Sequence, residues 1–192
     1  MDMGTVMNTI NGLIGFFAAL DLQAQVWAGS IHTALGIKCL NLVTYTGSSI
    51  GFLILTLFIS FYLLSKQKIY EPIFLNVSLF SAWWGMSLLK NVFERSRPAG
   101  EALTIASGFS LPSGHAMVSM AFYGFLAALL LRQKNSSRAR WGATLLFVWV
   151  ILIGFSRIYL NVHYLSDVLA GFILGFICMI VSLAGMDRVQ RW

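Results

Sequence analysis

The chain has 192 residues, 58% of them hydrophobic and only 10% charged, and its mean hydropathy is +0.78. A soluble domain carries roughly a quarter charged residues, so the composition excludes a soluble fold and fits one membrane-embedded unit over 1–192. The net charge of +6 does not indicate a nucleic-acid partner, because the basic residues sit in short loops between apolar runs.

The chain starts MDMGTVMNT, with an acid and no base, and lacks the positive n-region of a signal peptide. A spanning helix needs roughly 20 mainly apolar residues. The first apolar run, about 4–20, contains Asn8 and Asn11 and ends at Asp21. It is read as a first span, with a re-entrant or surface-lying segment as the alternative. Residues 21–45 mix polar and apolar side chains, include Trp27 and Tyr45, and fit an interfacial helix. Five clear spans follow at about 47–65, 70–91, 114–132, 141–159 and 163–185. The expected fold is all-α, an integral membrane bundle of six transmembrane helices.

The bases orient this bundle. Loop 66–69 carries Lys66 and Lys68, loop 132–140 carries Arg132, Lys134, Arg138 and Arg140, and the C-terminus carries Arg188 and Arg191. All lie on one side of the six-helix layout, which makes that side cytoplasmic. Lys38, Lys90, Arg95, Arg97 and Arg157 fall on the other side, where topology asks for none.

That outer end collects reactive groups. Lys90 ends the 70–91 run, and Arg97-Pro98 follows. Pro112-Ser113-Gly114-His115 opens the next helix. Arg157 closes the 141–159 run, and His163 and Asp167 open the last. His163 and Asp167, four apart, share a helix face. A carboxylate on one ring nitrogen leaves the other as nucleophile or base, although the pair serves equally as a structural cap. The PSGH stretch reads as a capped helix start whose N–H groups suit a phosphate, or as a plain cap with an incidental histidine. Lys90 and Arg97 could simply snorkel. Occurring jointly, three cations and a helix N-terminus suit phosphate oxygens.

The seven acids are Asp2, Asp21, Glu71, Glu94, Glu101, Asp167 and Asp187. Only Glu94, Glu101 and Asp167 are expected near this end, which is not the clustered oxygen set of a two-metal phosphatase. The reading is therefore of no metal, no cofactor, and phosphoryl transfer through a histidine. Cys39 and Cys178 read as small hydrophobes. Gly171 and Gly175 read as a packing contact inside the bundle. Trp83 and Trp84 pack against neighbours or tails, or one lines the substrate's path. His32 is read as satisfied or exposed. Glu94 and Arg95 form a surface pair or help to select a headgroup.

Lys90-x6-Arg97-Pro98, Pro112-Ser113-Gly114-His115 and Ser156-Arg157-x5-His163-x3-Asp167, in that order, resemble the three motifs of the type-2 phosphatidic acid phosphatase superfamily. The likeness covers 90–167 and extends to the six-helix layout. It implies that His163 is the nucleophile and forms a phosphohistidine, that Asp167 orients it, and that His115 protonates the leaving oxygen and then activates water. It implies that Lys90, Arg97, Arg157, Ser113 and the Gly114 N–H hold the phosphoryl oxygens, without a metal. The partners it implies are the bilayer and a membrane lipid phosphate. In a bacterium the candidate substrates are phosphatidylglycerol phosphate, phosphatidic acid, undecaprenyl diphosphate and the phosphates of lipid A. The small size leans toward a bacterial cytoplasmic membrane, with the active site at the outer face. Two other readings stand beside it: a phosphotransferase working through the same phosphohistidine, and a non-catalytic transporter or binding protein for an anionic lipid, which needs the lysine and arginines but neither His115 nor the His163–Asp167 pair. Oligomeric state is not legible in the sequence.

Overall fold

The computed structural model describes residues 3–133 and 136–191, so Lys134 lies outside the described residues. Their regular structure consists of seven helices: α1 (Met3–Ser30), α2 (Ala34–Tyr45), α3 (Ser49–Ser65), α4 (Tyr70–Phe93), α5 (Gly114–Leu131), α6 (Ser137–Tyr159) and α7 (Leu165–Val189). Five are long and apolar enough to cross a membrane. The α2–α3 pair, bent by 50°, supplies a sixth crossing if taken as one broken span.

Two expectations are corrected at the N-terminal end. The first helix does not stop at Asp21 but continues to Ser30, because Asp21 finds partners inside the bundle. Residues 21–45 are not one interfacial segment. They comprise the end of α1, a short turn, and α2, which leads through Thr46-Gly47-Ser48 into α3. The break is local chemistry. Ser48 caps α3 by accepting from the Gly51 N–H, and Thr33 caps α2 by accepting from the Gly36 N–H. The polar atoms that the break leaves at Thr46 are taken up by the bundle: Tyr123 Oη donates to the Thr46 carbonyl, and Trp149 Nε1 donates to Thr46 Oγ1.

Helix α5 is the central one. In its apolar stretch 56% of the residues are buried, against at most 39% in the other spans. It packs on α4, α6 and α7, while α1 touches only α6 and α7 closely, and α3 leans on α4. Phe52, Leu75, Phe122, Phe125, Val150 and Met179 fill the core between them. Close approach of α7 to α5 depends on glycine. A Cβ on Gly171 would stand 2.7 Å from the Ser113 carbonyl oxygen, and one on Gly175 would run into the Met117 carbonyl. The pair therefore packs inside the bundle.

Three connections gather at the end of the bundle opposite loop 66–69: 31–33, the long segment 94–113 and the turn 160–164. Segment 94–113 begins where Glu94 enters the left-handed region at φ 44°, which stops α4. Arg97 then staples it, donating to the carbonyls of Ser107, Gly108 and Phe109. Asn161, at φ 55°, turns the chain from α6 to α7. Asparagine tolerates that conformation better than most residues, and its side chain ties the turn to the carbonyls of Ala99 and Glu101.

Candidate active site

The turn 160–164 brings Arg157 and His163 together, since the Arg157 carbonyl accepts the N–H groups of both Val162 and His163. His163 lies just before α7 rather than on it. Asp167 occupies the third position of that helix, where its carboxylate accepts the Tyr164 N–H at 2.9 Å and caps the first turn. The Asp167 carbonyl in turn accepts the Ser113 N–H at 3.0 Å, which stitches the start of α5 to the start of α7. Ser113 takes the capping position of α5, but its hydroxyl makes no capping bond.

Lys90, Arg97, Gly114, His115, Arg157 and His163 line one cavity of about 630 Å³. Ser113 and Asp167 are fully buried beside it. All eight residues singled out in the sequence thus converge. The remaining wall is apolar and includes Phe52, Leu53, Leu79, Phe80 and Trp83 from α3 and α4. Trp83 is therefore the cavity tryptophan, while Trp84 is 56% exposed on the helix surface.

The contacts of His163 define its chemistry. Nδ1 stands 3.4 Å from Asp167 Oδ2 and 3.3 Å from Ser110 Oγ. Ser110 Oγ also donates to Asp167 Oδ2 in a short bond. A hydroxyl has one proton to give. With that proton on Asp167, the Ser110 lone pair accepts from His163 Nδ1–H. This assigns the tautomer and leaves Nε2 with its lone pair free. Arg97 Nη1 lies 3.2 Å from that Nε2 and also donates to the Val162 carbonyl. Burial pushes the His163 pKa from 6.5 to about 4 despite Asp167, so the ring is neutral at physiological pH.

Two buried polar atoms next to the cavity-lining groups, Ser113 Oγ and Arg157 Nε, have no hydrogen-bond partner. Leaving such an atom unpaired costs about 1–3 kcal/mol. An anion in the cavity would offset that cost. Arg157 is otherwise held by Thr44, which accepts from Nη1 at 2.6 Å. The elbow of α2–α3 also covers His115, since a Cβ on Gly47 would lie 3.2 Å from His115 Cδ2.

Four participants were not legible in the sequence: Asp21, Thr44, Arg95 and Ser110. Arg95 does not pair with Glu94. It donates to Asp167 Oδ1 at 2.6 Å and to Asp21 Oδ2 at 2.7 Å, and it stacks on the Tyr164 ring at 4.1 Å. Burial works against the Arg95 charge, but the two carboxylates outweigh it and raise its pKa. Asp21 thus joins the acids near the site. His32 is satisfied, with Nε2 2.7 Å from the Tyr159 carbonyl. Among the described residues, no three His, Cys, Asp or Glu side chains gather as a metal-binding set.

The family model described as PAP2 superfamily matches residues 71–191. The chain is 28% identical over 173 residues to phosphatidylglycerophosphatase B of Bacillus subtilis, covering 89% of this chain and 81% of that protein. It is 33% identical over 131 residues to the putative undecaprenyl-diphosphatase YbjG of Escherichia coli, covering 62% of this chain and 60% of that one. The crystal structure of the transmembrane PAP2-type phosphatidylglycerolphosphate phosphatase of Bacillus subtilis superposes with a TM-score of 0.83 at 26% identity, covering 94% of this chain and 97% of that one. LpxE of Aquifex aeolicus superposes with a TM-score of 0.70 at 25% identity, covering 86% and 95%. The chain belongs to the PAP2 superfamily, as a membrane-embedded phosphatase.

Proposed function

We propose that the chain hydrolyses a lipid phosphate or polyprenyl diphosphate through a phosphohistidine on His163, as a single catalytic unit. The observation that carries this reading is the two-sided setting of His163. Nδ1 is engaged by the Ser110–Asp167 pair, while Nε2 faces Arg97 in a cavity with cationic and apolar walls.

In the first step His163 Nε2 attacks phosphorus and the bond from phosphorus to the lipid oxygen breaks. His115 gives a proton to that leaving oxygen. Asp167 and Ser110 stabilise the positive charge that develops on the imidazole. In the second step water attacks phosphorus, His115 takes its proton, and the P–N bond breaks to release phosphate and free His163. Lys90, Arg97 and Arg157 hold the non-bridging oxygens, with Ser113 Oγ and the Gly114 N–H, and stabilise the charge on the transferring group. The apolar cavity wall suits a substrate whose tails stay in lipid.

A binding protein for anionic lipids would need the cations but not the Ser110–Asp167–His163 arrangement, which favours catalysis. The names of the relatives supply the substrate candidates: phosphatidylglycerol phosphate, undecaprenyl diphosphate and lipid A phosphate. The reactive end lies opposite the Lys66–Lys68 loop and the arginines that flank the α5–α6 connection, so the positive-inside rule puts it at the outer face. The test is phosphate release from a panel of these lipids by purified protein in detergent with excess EDTA. Release by wild type that is lost in His163→Ala supports the reading, and equal release by both proteins would overturn it.

A further inference from the structure

A carboxylate in an apolar helix is costly unless it is paired. Asp21 sits on α1, the least enclosed of the spans, and is only 3% exposed. It accepts from Arg95 Nη2 at 2.7 Å, from the Ser166 N–H at 2.8 Å and from Ser166 Oγ at 2.6 Å. The other arm of the same guanidinium, Nη1, donates to Asp167 Oδ1 at 2.6 Å and to Ser166 Oγ at 2.7 Å. One arginine therefore bridges two carboxylates, one on α1 and one in the His163 pair.

We propose that Asp21 is a positioning residue for the reaction: it anchors Arg95 in the orientation that fixes Asp167, and through Asp167 it sets the His163 ring. Asp167 has two oxygens with separate tasks. Oδ2 takes the Tyr164 N–H and Ser110 Oγ and faces His163, while Oδ1 faces Arg95. Rotation of the carboxylate would spoil the first set, and the Arg95 bond to Oδ1 opposes that rotation. Arg95 comes from the non-helical segment after α4, and its side chain is 30% exposed. A long side chain in that setting has many rotamers, so a second anchor on Nη2 decides whether it stays forked over Asp167. The Tyr164 ring restrains the guanidinium plane, and Asp21 restrains its direction. The family-model match begins at residue 71, so this role lies on a helix outside the matched segment.

Asp21 also caps α7 through the Ser166 N–H, which is a purely structural task. Asp21→Asn separates the two, because the amide oxygen still accepts that N–H while the charge that holds Arg95 is gone. The inference rests on His163 being the reacting group. The experiment uses the full chain in detergent micelles with whichever of phosphatidic acid, phosphatidylglycerol phosphate, undecaprenyl diphosphate and lipid A phosphate wild type turns over fastest, comparing wild type, Asp21→Asn, Asp21→Glu, Arg95→Gln and Asp21→Asn/Arg95→Gln. Asp21→Asn should lower kcat about tenfold with KM held within about twofold. Asp21→Glu, which keeps the charge but shifts it by one methylene, should fall between Asp21→Asn and wild type, with a loss of roughly threefold. In the Arg95→Gln background, Asp21→Asn should add less than about twofold, because the two residues act through one contact. Wild-type kcat in Asp21→Asn, or losses that multiply in the double variant, would overturn the inference. Should Asp21→Asn fail to fold, Asp21→Glu decides: an unchanged kcat overturns the inference, and a reduced kcat at constant KM supports it. Wild type inactive toward every one of these lipids would remove the His163 reading itself and this inference with it. An active wild type with an indifferent Asp21 would remove the inference alone.

Discussion

Arg97 Nη1 stands 3.2 Å from His163 Nε2, on the side of the ring turned away from Asp167. A guanidinium thus faces the nitrogen assigned here to attack phosphorus. A phosphoryl group arriving at Nε2 would exchange that N–H contact for bidentate bonds to its own oxygens. Lysine offers one compact ammonium and no fork. Arg97→Lys should therefore lower kcat about a hundredfold, a loss of the size seen when one donor to a developing oxyanion is removed. Steady-state kinetics beside His163→Ala checks this, and near-normal turnover by the lysine variant would remove Arg97 from the phosphoryl site.

Ser110 connects His163 to Asp167. It donates to Asp167 Oδ2 and lies 3.3 Å from His163 Nδ1. Without the hydroxyl, the ring faces a carboxylate at 3.4 Å, beyond a good hydrogen bond. Ser110→Ala should reduce kcat by about tenfold while KM changes little, because substrate oxygens do not meet Ser110 in this scheme. A rise in KM with normal kcat would contradict that assignment.

The depressed pKa of His163 has a consequence for stability. Its folded value is about 4, against an ordinary 6.5, with burial as the main cause. Between those values the unfolded chain binds a proton at this position and the folded chain does not. Stability at this residue is therefore full above pH 6.5 and falls as pH drops toward 4. Melting profiles of wild type and His163→Gln in the same detergent isolate the effect. The difference between them should shift against wild type as pH falls through this window, and parallel profiles would show that the ring is not buried neutral.

Much of this arrangement was legible in the sequence, for a definite reason. The spans after residue 47 are apolar runs, and the eight site residues lie at helix ends or in the turns beside them, with short characteristic spacings. The missed residues are joined across the chain. Asp21 and Ser166 are 145 positions apart, Arg95 and Asp167 are 72 apart, and Ser110 and His163 are 53 apart. No local pattern encodes such pairs. Hydropathy also misjudged Asp21, because a charge breaks an apolar run on paper but not in a helix where Arg95 and Ser166 satisfy it. The elbow between α2 and α3 was hidden for a similar reason, since its polar atoms are satisfied by Tyr123 and Trp149 rather than by headgroups.

Packing makes a prediction independent of catalysis. A methyl on Gly175 would collide with the Met117 backbone, whereas one on Gly12 meets nothing within 4 Å. Gly175→Ala should destabilise the fold by about 1–3 kcal/mol, as overpacking does, and Gly12→Ala should leave stability unchanged or slightly raised. Thermal midpoints in one detergent compare the two. Equal midpoints would mean that α7 does not lie this close to α5.

If His163 is the nucleophile, phosphorus is bonded to its ring during turnover. The most direct measurement is a rapid quench of the enzyme with a lipid phosphate labelled at phosphorus, followed by peptide mapping of the trapped chain. An acid-labile, base-stable label on the peptide containing His163, absent from His163→Asn and unaffected by EDTA, is the predicted result. Turnover by wild type with no protein-bound phosphorus at any quench time, or a label that persists in His163→Asn, would contradict it.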